Sequence, residues 1–178
     1  GFFIPMVLFP LVYGTLSDRF GRRLPLLFGL AILALGGLLG ALSESFEILV
    51  LARVLQGLGN ASVILIVVTI INDSYERSDA VRVLATISGI MMIVPAFSFA
   101  FGGLITDLIS WKGIMIVIFL TGIISLVLSL IYLPETNLRP LQKFNLTNLT
   151  RDYQSLLTNR VYLAYMFVST FIVGGWLT

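Results

Sequence analysis

Gly14-Thr15-Leu16-Ser17-Asp18-Arg19-Phe20-Gly21-Arg22-Arg23 carries four charges in ten residues, where the apolar run 1–16 gives way to the apolar run 24–42. About 20 apolar residues, rising about 1.5 Å each, cross a bilayer as a helix. The charged stretch is therefore too short to be anything but a link between two such helices, with its charges where they emerge. The same measure predicts complete or partial spans at 1–16, 24–42, 46–71, 82–106, 112–133 and 161–178, the first and last incomplete. The connections at 17–23, 43–45, 72–81 and 107–111 are tight, which makes sequential helices antiparallel neighbours.

Composition points to the same solvent. Of the 178 residues, 58% are hydrophobic and only 11% are charged. A soluble domain carries about 25% charged residues, so this chain lacks the polar groups to cover its own surface. Lipid must cover much of it. The sequence has no Cys and no His. That excludes disulfides, thiol nucleophiles, Cys/His zinc sites and imidazole acid–base chemistry. No metal site and no enzyme activity are expected. The chain begins at Gly1 and ends at Thr178, each inside an apolar run, which predicts a piece of a longer protein.

The basic residues orient the spans. Alternate connections put Arg19, Arg22, Arg23, Arg77, Arg82, Arg139, Lys143, Arg151 and Arg160 on one side and only Lys112 on the other. Positive charge accumulates on the cytoplasmic side, so the links 17–23, 72–81 and 134–160 are predicted to be cytoplasmic. Trp111 then lies at the opposite interface. This asymmetry also accounts for the net charge of +2 without a nucleic-acid partner, since no basic run is long enough to follow a phosphate backbone.

Three segments are expected. Residues 1–133 form a bundle, 134–160 a cytoplasmic linker and 161–178 the start of another span. Pro134 and Pro140 stop the preceding helix. Beyond them, Leu146, Leu149, Tyr153, Leu156 and Leu157 recur at helical spacing, which fits either a short amphipathic helix on the membrane surface or a solvated linker. Asn145-Leu146-Thr147 and Asn148-Leu149-Thr150 match the glycosylation pattern by chance if the loop is cytoplasmic.

Two further motifs lie within spans. In Leu51-Ala52-Arg53-Val54-Leu55-Gln56-Gly57-Leu58-Gly59-Asn60, an arginine stands inside an apolar run. Its insertion costs on the order of 2.5–3.5 kcal/mol, so it needs a polar partner or must snorkel to the interface. Arg53, Gln56, Gly57 and Asn60 share a face expected to point into the bundle. In the span 82–106, Gly89, Pro95, Gly102 and Gly103 permit kinking and close helix contact.

The ten-residue link resembles the signature between the second and third helices of the major facilitator superfamily, G-x-L-[SA]-D-R-[FY]-G-R-[RK], at every defined position. The resemblance implies an all-α, polytopic transmembrane bundle, truncated to the second through sixth helices and the start of the seventh. It implies a cytoplasmic latch that stabilises the outward-facing state, built on Gly14, Asp18, Arg19, Gly21, Arg22 and Arg23. Asp73 resembles the aspartate that pairs with this latch, with Arg22 or Arg23 as its partner. The R-x-x-Q-G-x-G pattern at Arg53 resembles the fourth-helix motif associated with proton coupling in antiporters. Ser98-Phe99 stands where the drug antiporters carry Gly-Pro in the fifth helix, although Gly102-Gly103 matches. Pro95, Ser110-Trp111-Lys112 and Leu133-Pro134-Glu135-Thr136 are similar to the bicyclomycin-resistance type.

By that resemblance the chain is expected to work in secondary transport of small solutes in a bacterial inner membrane, by proton-coupled efflux of drugs or other organic molecules. Its partners are the lipid bilayer, a small-molecule substrate and the remaining helices of the same transporter. No cofactor is expected; the proton is the coupling ion, titrating a carboxylate on a first helix outside this chain. A nutrient importer or facilitator and a non-transporting membrane receptor remain the alternatives, and the substrate is not legible.

Overall fold

A computed structural model of the chain describes residues 1–136 and Thr158. The chain divides into two compact units, Gly1–Gln142 and Lys143–Thr178. The expected amphipathic segment, apart from Thr158, and the expected span 161–178 lie outside the described residues. Six helices make up the described part of the first unit: α1 (Phe3–Leu8), α2 (Pro10–Phe20), α3 (Arg23–Ala41), α4 (Phe46–Ser74), α5 (Arg77–Leu108) and α6 (Trp111–Tyr132). Among the described residues there is no strand. Four stretches are long and apolar enough to cross a membrane: α3, α4, Arg77–Pro95 of α5, and α6.

The helices run further toward their charged ends than hydropathy predicts. The expected link 17–23 shortens to Gly21 and Arg22, and 72–81 to Tyr75 and Glu76. Polar residues at a helix end lose nothing by staying helical once the charged groups find partners. The expected first span is two helices, because Pro10 brings no N–H for a carbonyl one turn earlier and instead opens α2 at its first turn. Ser45 starts α4 by accepting the Ile48 N–H at 3.4 Å, and Ser110 starts α6 by accepting the Lys112 N–H at 3.2 Å. Pro95 lies within α5, which continues through it.

α3 is the centre of the unit, packed along α4 on one side and α6 on the other. Lipid tails are as apolar as Leu, so helices in a bilayer associate through close packing rather than expulsion of water. Glycines supply that closeness here. A Cβ at Gly59 of α4 would lie 2.6 Å from the Gly29 carbonyl oxygen of α3. One at Gly37 of α3 would lie 2.5 Å from the Phe119 backbone nitrogen of α6. At the arginine-rich end, Tyr13, Leu26, Leu30, Ala61 and Ile66 form a buried cluster joining α2, α3 and α4. α5 differs. Only 6% of its Arg77–Pro95 window is buried, and it presents Ile90, Met91, Phe97, Phe99 and Phe101 outward.

Candidate functional site: an arginine clamp and a buried amide

The end of α2, the start of α3 and the end of α4 converge on Arg22. Its side chain is 13% exposed. Nη1 donates to Asp18 Oδ1 at 2.5 Å and to Ser17 Oγ at 2.8 Å, both on α2. Nε donates to Asp73 Oδ2 on α4 at 2.9 Å. A carboxylate in the last turn of a helix faces the negative end of that helix's dipole, so Asp73 needs a cation more than most surface carboxylates do. Burial works to lower the Arg22 pKa. The hydrogen bonds to Asp73 and Asp18 and the charges of both carboxylates outweigh it, so the guanidinium titrates above its ordinary range and stays protonated. Of the two arginines expected as partners of Asp73, the structure places Arg22 there. Arg23 turns to α6, where Nη2 donates to the Leu130 carbonyl at 2.8 Å. Arg19 lies over the Phe20 ring, 5.1 Å from its centroid.

Between α2 and α3 the chain turns at Gly21, with φ of +86° and ψ of 172°. That region is almost closed to residues with a Cβ. The space beside Gly21 is occupied by Glu135, just beyond α6. Its Oε1 accepts the Arg22 N–H at 2.8 Å and its Oε2 accepts the Arg23 N–H at 3.2 Å. Asp18 pairs with the Arg22 cation, and the carboxylate at the helix N-terminus is Glu135. Sequence reasoning missed this role; the available signal was a carboxylate directly after the proline that ends the antiparallel neighbour of α3. Gly14 lies in α2, and a Cβ placed there would meet Leu65 at 3.7 Å and no other described residue within 4 Å.

The second site is buried between α3, α4 and α6. Gln56 is 1% exposed. Its Oε1 accepts from Arg53 Nη1 at 3.2 Å. Its Nε2 donates to the Gly36 carbonyl of α3 at 3.1 Å and lies 3.5 Å from Met115 Sδ of α6. Arg53 therefore has the polar partner its position demands. The expected single polar face needs correction, because successive helical residues are turned by about 100°. Gln56 looks toward α3 and α6, whereas the adjacent Gly57 meets the Phe2 carbonyl at the chain's beginning. Arg53 lies on that second side, its Cβ 3.5 Å from where a Cβ on Gly1 would be. Asn60, one turn on, is half-buried.

The expected packing glycines divide in two. Gly57 and Gly59 are in close contact, while a Cβ at Gly89, Gly102 or Gly103 would meet nothing within 4 Å among the described residues. No group of His, Cys, Asp or Glu that could hold a metal ion occurs among the described residues.

The profile of the Major Facilitator Superfamily matches residues 1–178. An uncharacterized transporter of Rickettsia bellii is 32% identical over 165 residues, covering 93% of this chain and 40% of that protein. The multidrug resistance protein MdtM of Escherichia coli K12 is 27% identical over 150 residues, covering 84% and 37%. A bicyclomycin resistance protein homolog of Haemophilus influenzae is 27% identical over 166 residues, covering 93% and 42%. The chain thus spans about two fifths of the length of these relatives. Since the profile match covers Gly1 to Thr178 and takes in both the link clamped by Arg22 and the span holding Arg53, the chain belongs to the Major Facilitator Superfamily.

Proposed function

We propose that this chain is part of a secondary transporter that exports small organic molecules in exchange for protons. The observation that carries the reading is the Arg22 clamp. One guanidinium joins α2 and α4 at the start of α3, through contacts of 2.5 Å to Asp18 and 2.9 Å to Asp73. Such a clamp makes the arginine-rich ends of three helices move as one body, which rocking of one transporter half against the other requires. The names of the relatives, multidrug resistance and bicyclomycin resistance, support drug-like molecules as substrates.

In this reading the clamp is the cytoplasmic latch, and its charge pairs hold the outward-facing state. Arg53 is the coupling-associated arginine. Gln56 fixes one of its terminal nitrogens, leaving the rest of the guanidinium for groups on the side of Gly1 and Phe2. A protonatable carboxylate supplied by helices outside this chain would titrate against it, and substrate and proton would compete for that charge.

The experiment uses proteoliposomes of the full-length protein with an acidified lumen and a fluorescent drug-like cation at equal concentration on both sides. Exchange draws the dye inward as protons leave. A symporter would carry dye outward with the protons under the same gradient, and a receptor on this scaffold would move none. Either result overturns proton-coupled export.

A further inference from the structure

We infer that Glu135 is a positioning residue of the latch, holding the backbone of Arg22 while Asp73 holds its side chain. This rests on the reading of the Arg22 clamp as a latch. α3 begins at Arg23 with no side chain from its own N-terminal residues capping it. Its first N–H groups have no intrahelical acceptor, and a negative charge is favoured there. Glu135 meets both needs from 112 and 113 residues away, one oxygen to each of two successive N–H groups. A carboxylate accepting two backbone N–H bonds is a strong, geometrically defined contact.

The glycine of the motif is shaped to it. A Cβ at Gly21 would lie 2.6 Å from the Glu135 carboxyl carbon. Gly21 is thus required twice, for its left-handed turn and for the room its hydrogen leaves. Arg22 is fixed from two directions, by Glu135 through the main chain and by Asp73 through the guanidinium. Glu135 also stands immediately after Pro134, at the head of the segment that leads on from α6.

The test is a double-mutant cycle in the full-length transporter, comparing Glu135→Gln, Asp73→Asn and the pair by transport rate at matched membrane level, with thermal midpoints measured alongside. Glutamine keeps the shape, loses the charge and can accept at one oxygen only. Each single variant is expected to slow transport about tenfold, and the pair no more than Asp73→Asn alone, because both act on the position of Arg22. Multiplicative slowing in the pair would show two independent effects and overturn the positioning role. Wild-type rates for Glu135→Gln beside a slow Asp73→Asn would overturn it too, leaving the latch reading intact. Wild-type rates for both singles would remove the latch reading and this inference with it. Should the glutamine variant fail to reach the membrane, the same cycle with Glu135→Asp, which keeps the charge on a shorter arm, decides by the same criteria.

Discussion

Replacing Gln56 by Leu removes one side chain's worth of polar contacts with almost no change in volume, so its effect can be worked from the bonds lost. Two strong hydrogen bonds go, Arg53 Nη1 to Oε1 at 3.2 Å and Nε2 to the Gly36 carbonyl at 3.1 Å, with the weaker one from Nε2 to Met115 Sδ at 3.5 Å. A hydrogen bond to a charged group contributes about 1.5–3 kcal/mol and a neutral one about 0.5–1.5 kcal/mol. Leucine offsets about 1–2 kcal/mol of this because it brings no amide to be desolvated in the apolar interior. The net destabilisation is therefore about 1–3 kcal/mol, dominated by the guanidinium left without its acceptor in a half-buried site. Transport should suffer more than folding, because Arg53 loses the group that fixes its direction; a loss of about 10- to 100-fold is expected, at about 1.4 kcal/mol per factor of ten. Gln56→Glu separates the two roles. It keeps an acceptor for Arg53 but strips the donor to α3, so it should weaken thermal stability while keeping more transport than the leucine variant. Flux in proteoliposomes and the thermal midpoint of the full-length protein provide the readouts. Wild-type flux and midpoint in Gln56→Leu would refute the reasoning, since the amide would then neither orient Arg53 nor tie α4 to α3.

The remaining predictions concern charge and packing. Asp73→Asn should slow transport about tenfold and Asp18→Asn about threefold, since the Asp18 side chain is 70% exposed against 33% for Asp73 and exposed pairs are worth less; transport rates at equal membrane level check the order, and the reverse order would contradict it. Gly59→Ala must part α3 from α4 and should cost about 1–3 kcal/mol by overpacking, lowering the thermal midpoint. Gly103→Ala should leave the packing of this unit untouched, and any loss of transport it causes would assign Gly103 to contacts with other helices. Arg53→Lys keeps the charge without the planar fork and should lose transport while retaining the thermal midpoint within a few degrees.

Much of this was readable in advance because a bilayer imposes few solutions. The span boundaries at Phe46 and Trp111 agree with the apolar runs to a residue, since Ser45 and Ser110 cap the helices where the runs begin. The break between α1 and α2 was not anticipated, although Pro10 announces it; hydropathy measures only the cost of leaving lipid and takes no account of a missing N–H. The Asp18, Arg22 and Asp73 grouping was foreshadowed by the motif, but the choice of Arg22 over Arg23 depends on which face of α3 meets α4. Glu135 left only a faint mark, its place directly after Pro134 at the end of α6, because its partners are backbone N–H groups, which every sequence carries.

The two sites use polar contacts at different depths, and the difference explains why one suits a switch and the other a fixed support. Helix association in the apolar region rests on packing, so the glycine contacts of α3 with α4 and α6 and the Gln56 amide have no water to replace them when broken. They favour one arrangement and hold it. Arg22 stands where water can reach. Its carboxylate partners are partly exposed, so each pair is worth only about 0–1 kcal/mol more than its solvated parts, rising toward 2 kcal/mol where burial is greater. A few such contacts acting together bias an equilibrium by one to two orders of magnitude, enough to favour a state without trapping it. A latch built from Gln56-like bonds would not open, and a core built from Arg22-like bonds would not hold its direction. The sequence keeps them apart by placing the Asp18, Arg19, Arg22 and Arg23 charges at the helix ends and the buried Gln56 amide within α4, on the helix that carries Arg53.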